Sequence, residues 1–256
     1  MKRFSKATSL VEEAESETYP TFTYSVLDGY IPGRVYMDES KRSALIGTET
    51  GIFVVAGEQN NRDFHHSVLE IYKDRKRENK RFTLFSPSKE WDKMIHKVFG
   101  NELKQLNRFR FRFNQLKFSA QIGGGASSES KIQPIDEKVI SQSQEFNELY
   151  LNEYWGSVSN FIENGFGFCL LHNETIASEC ISIFSSTEYA EIDIATLTRF
   201  RGMGFGHIVA RKFIEHCIVR NVTPKWDCDV NNFSSIKLGE GLGFENPVKY
   251  SVFVMS

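Results

Sequence analysis

The stretch that decides the fold is Arg201-Gly202-Met203-Gly204-Phe205-Gly206-His207. It follows a strand-like run, Ala190 to Leu197, and precedes a helix-like run, Ile208 to Arg220. A glycine-rich turn between a strand and a helix points several backbone N–H groups at one anion. The helix start adds a partial positive charge, so the place favours phosphate. Glycine is needed there because a Cβ blocks close approach and disfavours the φ > 0 conformations of such a turn. Arg201 can add a charge-assisted bond to a phosphate oxygen. The plainer reading of so short a motif is a turn that only joins two elements. Neither Gly-Lys-Ser/Thr nor Gly-x-Gly-x-x-Gly is present in it, so a nucleotide-binding protein is the weaker phosphate reading.

The neighbouring residues sharpen the picture. Arg201-x-x-Gly204-x-Gly206 has the spacing of the Gln/Arg-x-x-Gly-x-Gly/Ala signature, and the chain resembles the GNAT acetyltransferase superfamily from residue 132 to 250. Ile132-Gln-Pro-Ile135 is similar to the opening strand of that family, and a helical region follows. Then come strands near Phe166–Leu171, Ile176–Phe184 and Ala190–Thr196, the glycine turn, its helix and a strand at Lys225–Val230. Asn232-Phe-Ser-Ser-Ile-Lys-Leu238 with Gly243-Phe244 resembles the family's Asn-x-x-Ala-x-x-Leu-Tyr…Gly-Phe ending. Pro224-Lys-Trp226-Asp227-Cys228 and the glutamate of Glu191-Ile-Asp-Ile resemble the zwittermicin-resistance-type branch. The resemblance fades before residue 132.

The resemblance implies an α/β (α+β) fold, a mixed, mostly antiparallel sheet flanked by helices. It implies acetyl-CoA as co-substrate, with the pyrophosphate on Arg201, Gly202, Met203, Gly204, Phe205, Gly206 and His207. Ile194, Ala195 and Thr196 would offer backbone groups to the pantetheine arm and the thioester carbonyl. Asn232 matches the asparagine that reaches the pantetheine, and Ser235 stands where the family often has alanine. One departure matters. Where many members carry Leu-Tyr, this chain has Leu238-Gly239, and that tyrosine often protonates the leaving thiolate. Gly239 cannot do so.

Acetyl transfer to an amine also needs a neutral amine and a stabilised oxyanion. Glu191 and Asp193 lie two apart on one strand and so share a face. Either can take a proton directly or through water, and Glu191 matches the family's strand glutamate better. The alternative for both is a surface carboxylate at a strand edge. Phe146, Leu149, Tyr150, Tyr154, Val158, Phe161 and Ile162 recur at helical spacing. In GNAT enzymes this region lines the acceptor side, which makes Glu153, Tyr154 and Trp155 candidate substrate contacts. Plain core packing is the competing reading, because aromatic helix stripes are usually core.

Composition bounds the rest. The 256 residues allow one large domain or two small ones, and 22 phenylalanines favour a packed aromatic core over disorder. A formal net charge of −2 gives no reason to expect nucleic acid or an anionic membrane surface as partner. No apolar run is long enough to span a bilayer, and the basic start is followed by a polar stretch unlike a secretory signal. Cys169, Cys180, Cys217 and Cys228 form no C-x-x-C pair and, with the histidines, show no metal-ligand spacing, so free buried thiols, a reducing cytoplasm and no metal are expected. An acyl-cysteine route through Cys228 is disfavoured on the same ground.

Along the first half, Arg34–Met37, Ile52–Ala56 and Arg81–Phe85 read as strands. Residues 62 to 80 read as a helix with Phe64, Val68, Leu69 and Tyr72 inward, and Ser88 as the cap of another. Arg108-Phe-Arg-Phe-Arg-Phe113 alternates with period two. It is a half-buried strand whose arginines either face an anionic partner or pair locally. Residues 119–131, rich in glycine and serine, read as a linker between an N-terminal α/β domain, 1–118, and a GNAT domain, 132–256. The first domain is expected to be a diverged copy that has lost its phosphate turn. The leading function is transfer of an acetyl group to a primary amine of a small molecule, directly in a ternary complex, by a monomer or homodimer. The alternative is a catalytically weak acyl-CoA-binding regulatory module, favoured by Gly239.

Overall fold

The computed structural model describes residues 4–14, 18–120 and 130–255. These form two compact units. One takes the described residues up to Arg108 and those from Lys249 onward, and the other takes Phe109–Val248. The division falls ahead of the glycine-serine stretch 119–131, whose residues 121–129 lie outside the described residues.

In the first unit, α1 (Ser5–Glu12) buries Ala7 and Val11, and α2 (Thr21–Asp28) ends at Gly29, whose φ is 80°. Strands β1 (Gly33–Met37), β2 (Ser43–Thr48) and β3 (Ile52–Gly57) form an antiparallel meander. Helix α3 (Arg62–Arg77) then returns the chain to β4 (Thr83–Ser86), which runs parallel to β3. Helix α4 (Lys89–Phe99) is capped by Ser88, whose hydroxyl accepts from the Trp91 N–H as its sequence position predicts. The chain continues into β5 (Leu103–Phe113). Phe64, Val68, Tyr72, Trp91 and Ile95 pack with Phe82 and Leu84 as one core. The fully buried β2 and the helix α2 go beyond what sequence pattern predicted, because a strand covered on both faces has no polar alternation to read.

The second unit starts with the last residues of β5 and continues through α5 (Gln115–Ser119), β6 (Ser130–Pro134), α6 (Glu137–Gln142), α7 (Glu148–Trp155) and α8 (Val158–Asn164). Then come β7 (Gly167–His172), β8 (Thr175–Ser185), β9 (Tyr189–Thr196), α9 (Phe205–Val219), β10 (Thr223–Asp229), α10 (Phe233–Glu240) and β11 (Phe244–Met255). The strand order is β5-β10-β9-β8-β7-β6, antiparallel from β6 to β9 and parallel between β9 and β10. The expected mixed, mostly antiparallel sheet flanked by helices is observed. Val209, Ala210, Phe213, Ile214 and Cys217 of α9 are all 0% exposed. Each large side chain among them contributes roughly 1.5–3 kcal/mol by burial, which seats the helix firmly on the sheet.

The two units repeat one pattern: a meander, a helix, a parallel strand, a second helix. The strand that completes each comes from elsewhere in the chain. In the first unit β4 pairs with the end of β11, Val254↔Thr83 to Ser251↔Ser86. In the second unit β10 neighbours β5. The helical stripe expected from Phe146 to Ile162 is two helices, α7 and α8. Gly156 at φ 79° and the Ser157 cap break it. Leu149 and Ile162 are exposed, not core.

The arginines of β5 pair locally. Arg110 meets Asp227 at 3.7 Å with both side chains nearly buried, and Arg108 Nε donates to the Tyr250 hydroxyl at 3.2 Å. Arg112 stands exposed.

Candidate active site

The turn takes the predicted place at the start of α9. Gly202 and Gly204 have φ of 81° and 79°, and Gly204 is the N-cap residue. No side chain caps α9, and its first turn holds no acidic residue. By contrast α3, α4, α5, α6, α7, α8 and α10 are each closed by an Asn, Ser or Asp oxygen. Helix α9 therefore presents open N–H groups to an anion. Arg201 to Gly204 are exposed, with Met203 half in solvent, and Phe205 is buried beneath them. Arg201 Nε donates to the Thr196 carbonyl at 3.2 Å, which folds the guanidinium back over the strand end. His207 Nε2 lies 3.3 Å from the Gly241 carbonyl and ties the first turn of α9 to the end of α10. A Cβ on Gly206 would come within 3.2 Å of Thr196 Oγ1, so glycine lets the helix start sit against β9.

Behind the turn the sheet forks. The parallel register of β9 and β10 runs from Tyr189↔Thr223 only to Glu191↔Lys225. Beyond it β9 continues to Thr196 and β10 to Asp229. The Leu197 N–H bonds Ala177 of β8, and the Ala195 carbonyl accepts from Ser178 Oγ. Backbone groups alternate along a strand, so those of Ile194 and Thr196 face the opening and those of Ala195 face β8. Ile194 and Thr196 thus turn backbone groups toward the opening, the Thr196 carbonyl already accepting from Arg201 Nε.

Glu191 stands at the apex of the fork. The side chains of Glu191, Asp193 and Ala195 share the face opposite α9, where α7 lies. Tyr150 of α7 donates its hydroxyl to Asp193 Oδ2 at 2.6 Å. Burial, then the negative charge of Asp193, pushes the Tyr150 phenol well above its usual range, and it stays a donor. Phe146, Tyr150, Tyr154 and Phe184 form a continuous aromatic wall, with ring centres 5.0, 4.7 and 5.8 Å apart in sequence. Of the three residues proposed to touch substrate, Glu153 is exposed and Tyr154 half-buried. Trp155 is 0% exposed, its indole N–H given to the Ser182 carbonyl at 3.0 Å, so it is a core residue.

Two features escaped the sequence reading. Glu179 on β8 pairs with Ala195 in register and is 3% exposed. Ser143 Oγ donates to its Oε2 at 2.9 Å, while Oε1 has no hydrogen-bond partner among the described residues. Burial pushes this carboxyl up to about 7 against the Ser143 bond, with Glu145 adding to the rise. A single acid inside Ala177-Ser-Glu-Cys-Ile-Ser-Ile-Phe184 was the available signal. Lys225 is the second: it is 5% exposed, with its ammonium 4.3 Å from the centre of the Tyr189 ring.

On the far side of the fork, Asn232 caps α10, its Oδ1 accepting from the Ser235 N–H at 3.1 Å. Trp226 Nε1 donates to Ser235 Oγ at 3.1 Å. The same indole lies 3.0–3.2 Å from where a Cβ on Gly239 would be, so Trp226 fills the space a side chain there would need. Cys169, Cys180, Cys217 and Cys228 are all buried free thiols. Burial raises Cys169 to about 12 and Cys180 and Cys217 well above their usual range, which leaves them poor nucleophiles.

In the first unit the corresponding junction is closed. Between β3 and α3 the chain reads Glu58-Gln-Asn-Asn61, and Asn61 Oδ1 caps the Phe64 N–H at 3.0 Å. Asp63 occupies the first turn of α3. A sealed helix start with a negative charge repels phosphate.

A glycine turn opening an uncapped helix beside parallel strands that part is the arrangement expected of a GNAT fold. The GNAT acetyltransferase family model matches residues 12–253, and the chain belongs to that family. It is 42% identical over 252 residues to Uncharacterized N-acetyltransferase YdfB of Bacillus subtilis (strain 168), covering 97% of this chain and 95% of that protein. The fold is also similar to a GCN5-related N-acetyltransferase-like protein from Streptococcus suis, with TM-score 0.72, 23% identity and 98% and 99% of the two chains covered. A tandem GNAT protein from the clavulanic acid biosynthesis pathway aligns with TM-score 0.66 at 10% identity over 97% and 92% of the chains. The chain is an acyltransferase, and GNAT enzymes use acetyl-CoA as co-substrate. Among the described residues no helix is long and apolar enough to cross a membrane.

Proposed function

We propose that this acyltransferase moves an acetyl group from acetyl-CoA to a primary amine of a small molecule, by direct attack in a ternary complex. The observation that carries the reading is the fork: Glu191 at its apex, open strand edge along β9, and the uncapped start of α9 at its mouth. The N–H groups from Met203 to His207, with Arg201, hold the pyrophosphate. Ile194 and Thr196 bond the pantetheine as an added strand, and Asn232 donates to it from its NH2 end. Backbone donors near Ile194 stabilise the oxyanion. Glu191 takes the amine proton. Asp193, which accepts the Tyr150 hydroxyl, is the second candidate. Tyr154 and Glu153 border the acceptor.

With Gly239 in place of tyrosine, the leaving thiolate is met by another donor or by solvent. Trp226 donates to Ser235 and so turns the Ser235 O–H outward as such a donor. The zwittermicin-resistance-type branch remains our reading of the Pro224–Cys228 run.

Thiol release from acetyl-CoA, measured with a panel of primary amines, tests the proposal. Amine-dependent release with an acetylated amine as product supports it. Coenzyme A binding without release by any amine would instead favour an acyl-CoA-binding module.

A further inference from the structure

The first unit carries a polar cleft that no step of the acetyl transfer uses. It lies between β1, the turn from β2 to β3 and the last turn of α3, with a volume of about 240 Å³. All the residues that line it belong to the first unit. Two glycines shape it. A Cβ on Gly47 would come within 2.1 Å of the Phe53 ring, so Phe53 lies against bare backbone. A Cβ on Gly51, at φ 100°, would come 2.4 Å from Arg75 Nη2 and 2.0 Å from the Arg81 carbonyl. Glycine there makes room for the Arg75 guanidinium.

Arg75 is held in the cleft as a fixed fork. Its Nε donates to the Arg81 carbonyl, and its Nη1 reaches the Glu49 carbonyl at 3.5 Å. Its guanidinium carbon lies 5.5 Å from the centre of the Phe53 ring. Of the five N–H donors of a guanidinium, three remain.

The surrounding charges leave Arg75 as the odd one. Each carboxylate lining the cleft is already taken by another cation. Glu49 is met by Arg34 at 2.9 Å, Glu78 by Lys80 at 2.6 Å and Asp74 by Arg77 at 2.9 Å. Among the described residues none of the three forms an ion pair with Arg75. Burial pulls the Arg75 guanidinium below its ordinary range; Tyr36, Glu49 and Glu78 offset this only in part, and Arg34 adds to the fall. The carbonyls at the end of α3 would repel an anion if open. They are closed by the N–H groups of Glu78, Asn79 and Lys80.

We propose that this cleft binds a small oxyanion, a carboxylate or a phosphate, gripped by the Arg75 fork with Arg34 and Lys80 as flanking charges. Two oxygens of the ligand accept two parallel N–H bonds, a geometry that a guanidinium matches and an ammonium does not. The ligand supplies the counter-charge that a half-buried guanidinium otherwise lacks, without displacing an existing pair. A volume below the ~300–1,000 Å³ of sites for drug-sized molecules limits the occupant to inorganic phosphate or a small acid. The site stands apart from the α9 turn and does not depend on the acetyl-transfer reading.

The test titrates the full chain calorimetrically with sodium phosphate and with sodium acetate, at constant ionic strength and with sodium chloride as control. Saturable millimolar binding of at least one is expected, and their relative affinities separate the two oxyanions. Arg75→Lys keeps the charge but loses the fork, and should weaken binding about tenfold or more, the scale of one charge-assisted bond. Arg34→Gln removes an exposed side chain whose surface pair contributes little to stability, so it should fold normally and also bind more weakly. The same anion should raise the melting temperature of the unaltered protein more than that of Arg75→Lys. Any phosphate bound at the α9 turn is set apart by Gly204→Val, in which binding at the cleft should survive. Binding wholly lost in folded Gly204→Val, or unchanged in folded Arg75→Lys or Arg34→Gln, overturns the inference. So does the absence of saturable binding of either anion at tens of millimolar.

Discussion

Replacing Gly204 with valine separates backbone strain from anion binding, because the protein supplies a matched control. Gly204 has φ 79° and nothing within 4 Å of where a Cβ would be, and Gly29 at the end of α2 has φ 80° and the same empty surroundings. Neither substitution creates a clash in the protein itself. Both force an L side chain into the left-handed region, at about 1–2 kcal/mol each. For a chain of this size that lowers the melting temperature by roughly 2–8 °C, at about 2–4 °C per kcal/mol.

Only Gly204 opens the α9 turn, where the added methyl groups would occupy the path proposed for the pyrophosphate. Losing even one charge-assisted bond there weakens coenzyme A binding by about tenfold to over a hundredfold, at roughly 1.5–3 kcal/mol. The assay pairs thermal melts with calorimetric titration of coenzyme A for Gly204→Val and Gly29→Val. Similar melting shifts with affinity lost only in Gly204→Val are expected. A folded Gly204→Val protein with unchanged affinity would refute the assignment of the turn.

Four further outcomes are expected. Glu191→Gln should slow turnover about a hundredfold or more at saturating amine, the scale of acid–base catalysis; a loss under about threefold would move the role to Asp193 or water. Cys228→Ala should keep most activity, and mass spectrometry after acetyl-CoA alone should find no acetylated cysteine; a transfer-competent adduct would refute direct attack. Titration with coenzyme A should saturate at one site per chain, and a second site surviving Gly204→Val would show that the sealed start of α3 does bind phosphate.

Glu179 should make stability fall as pH rises. Its folded value of about 7 lies above the ordinary 4.5, so between these pH values the unfolded chain releases a proton that the folded chain keeps. The cost grows to about 3 kcal/mol near pH 7 and then levels. In Glu179→Gln, denaturant melts from pH 4 to 8 should lose this slope; an unchanged slope would place the dependence elsewhere.

Much of the candidate site's local structure was readable in the chain because it obeys short-range rules. The glycine spacing of 201–206, the strand before it and the apolar periodicity of α9 all lie within three consecutive segments. Each obeys a rule of short range: φ > 0 at glycine, period two, period 3.6. Ser88 as a cap and Glu191 with Asp193 on one face were legible for the same reason. What pattern did not reveal was the state of those carboxylates, since Tyr150 reaches Asp193 from 43 positions away. Nor could it show that Gly239 is glycine against the indole of Trp226, or that Trp155, on a plausible acceptor helix, points wholly into the core.

By itself, then, the sequence determined the glycine turn, the elements that flank it, and the alternation of β5. The tertiary structure decided which strands complete which unit. Every strand edge offers the same N–H and C=O groups, so period and propensity give no partner. Long-range packing selects β11 for β4, and places β5 next to β10, where Arg110 meets Asp227. For that reason the compact units divide at Arg108 and Phe109, inside an unbroken strand, where no composition shift marks the boundary.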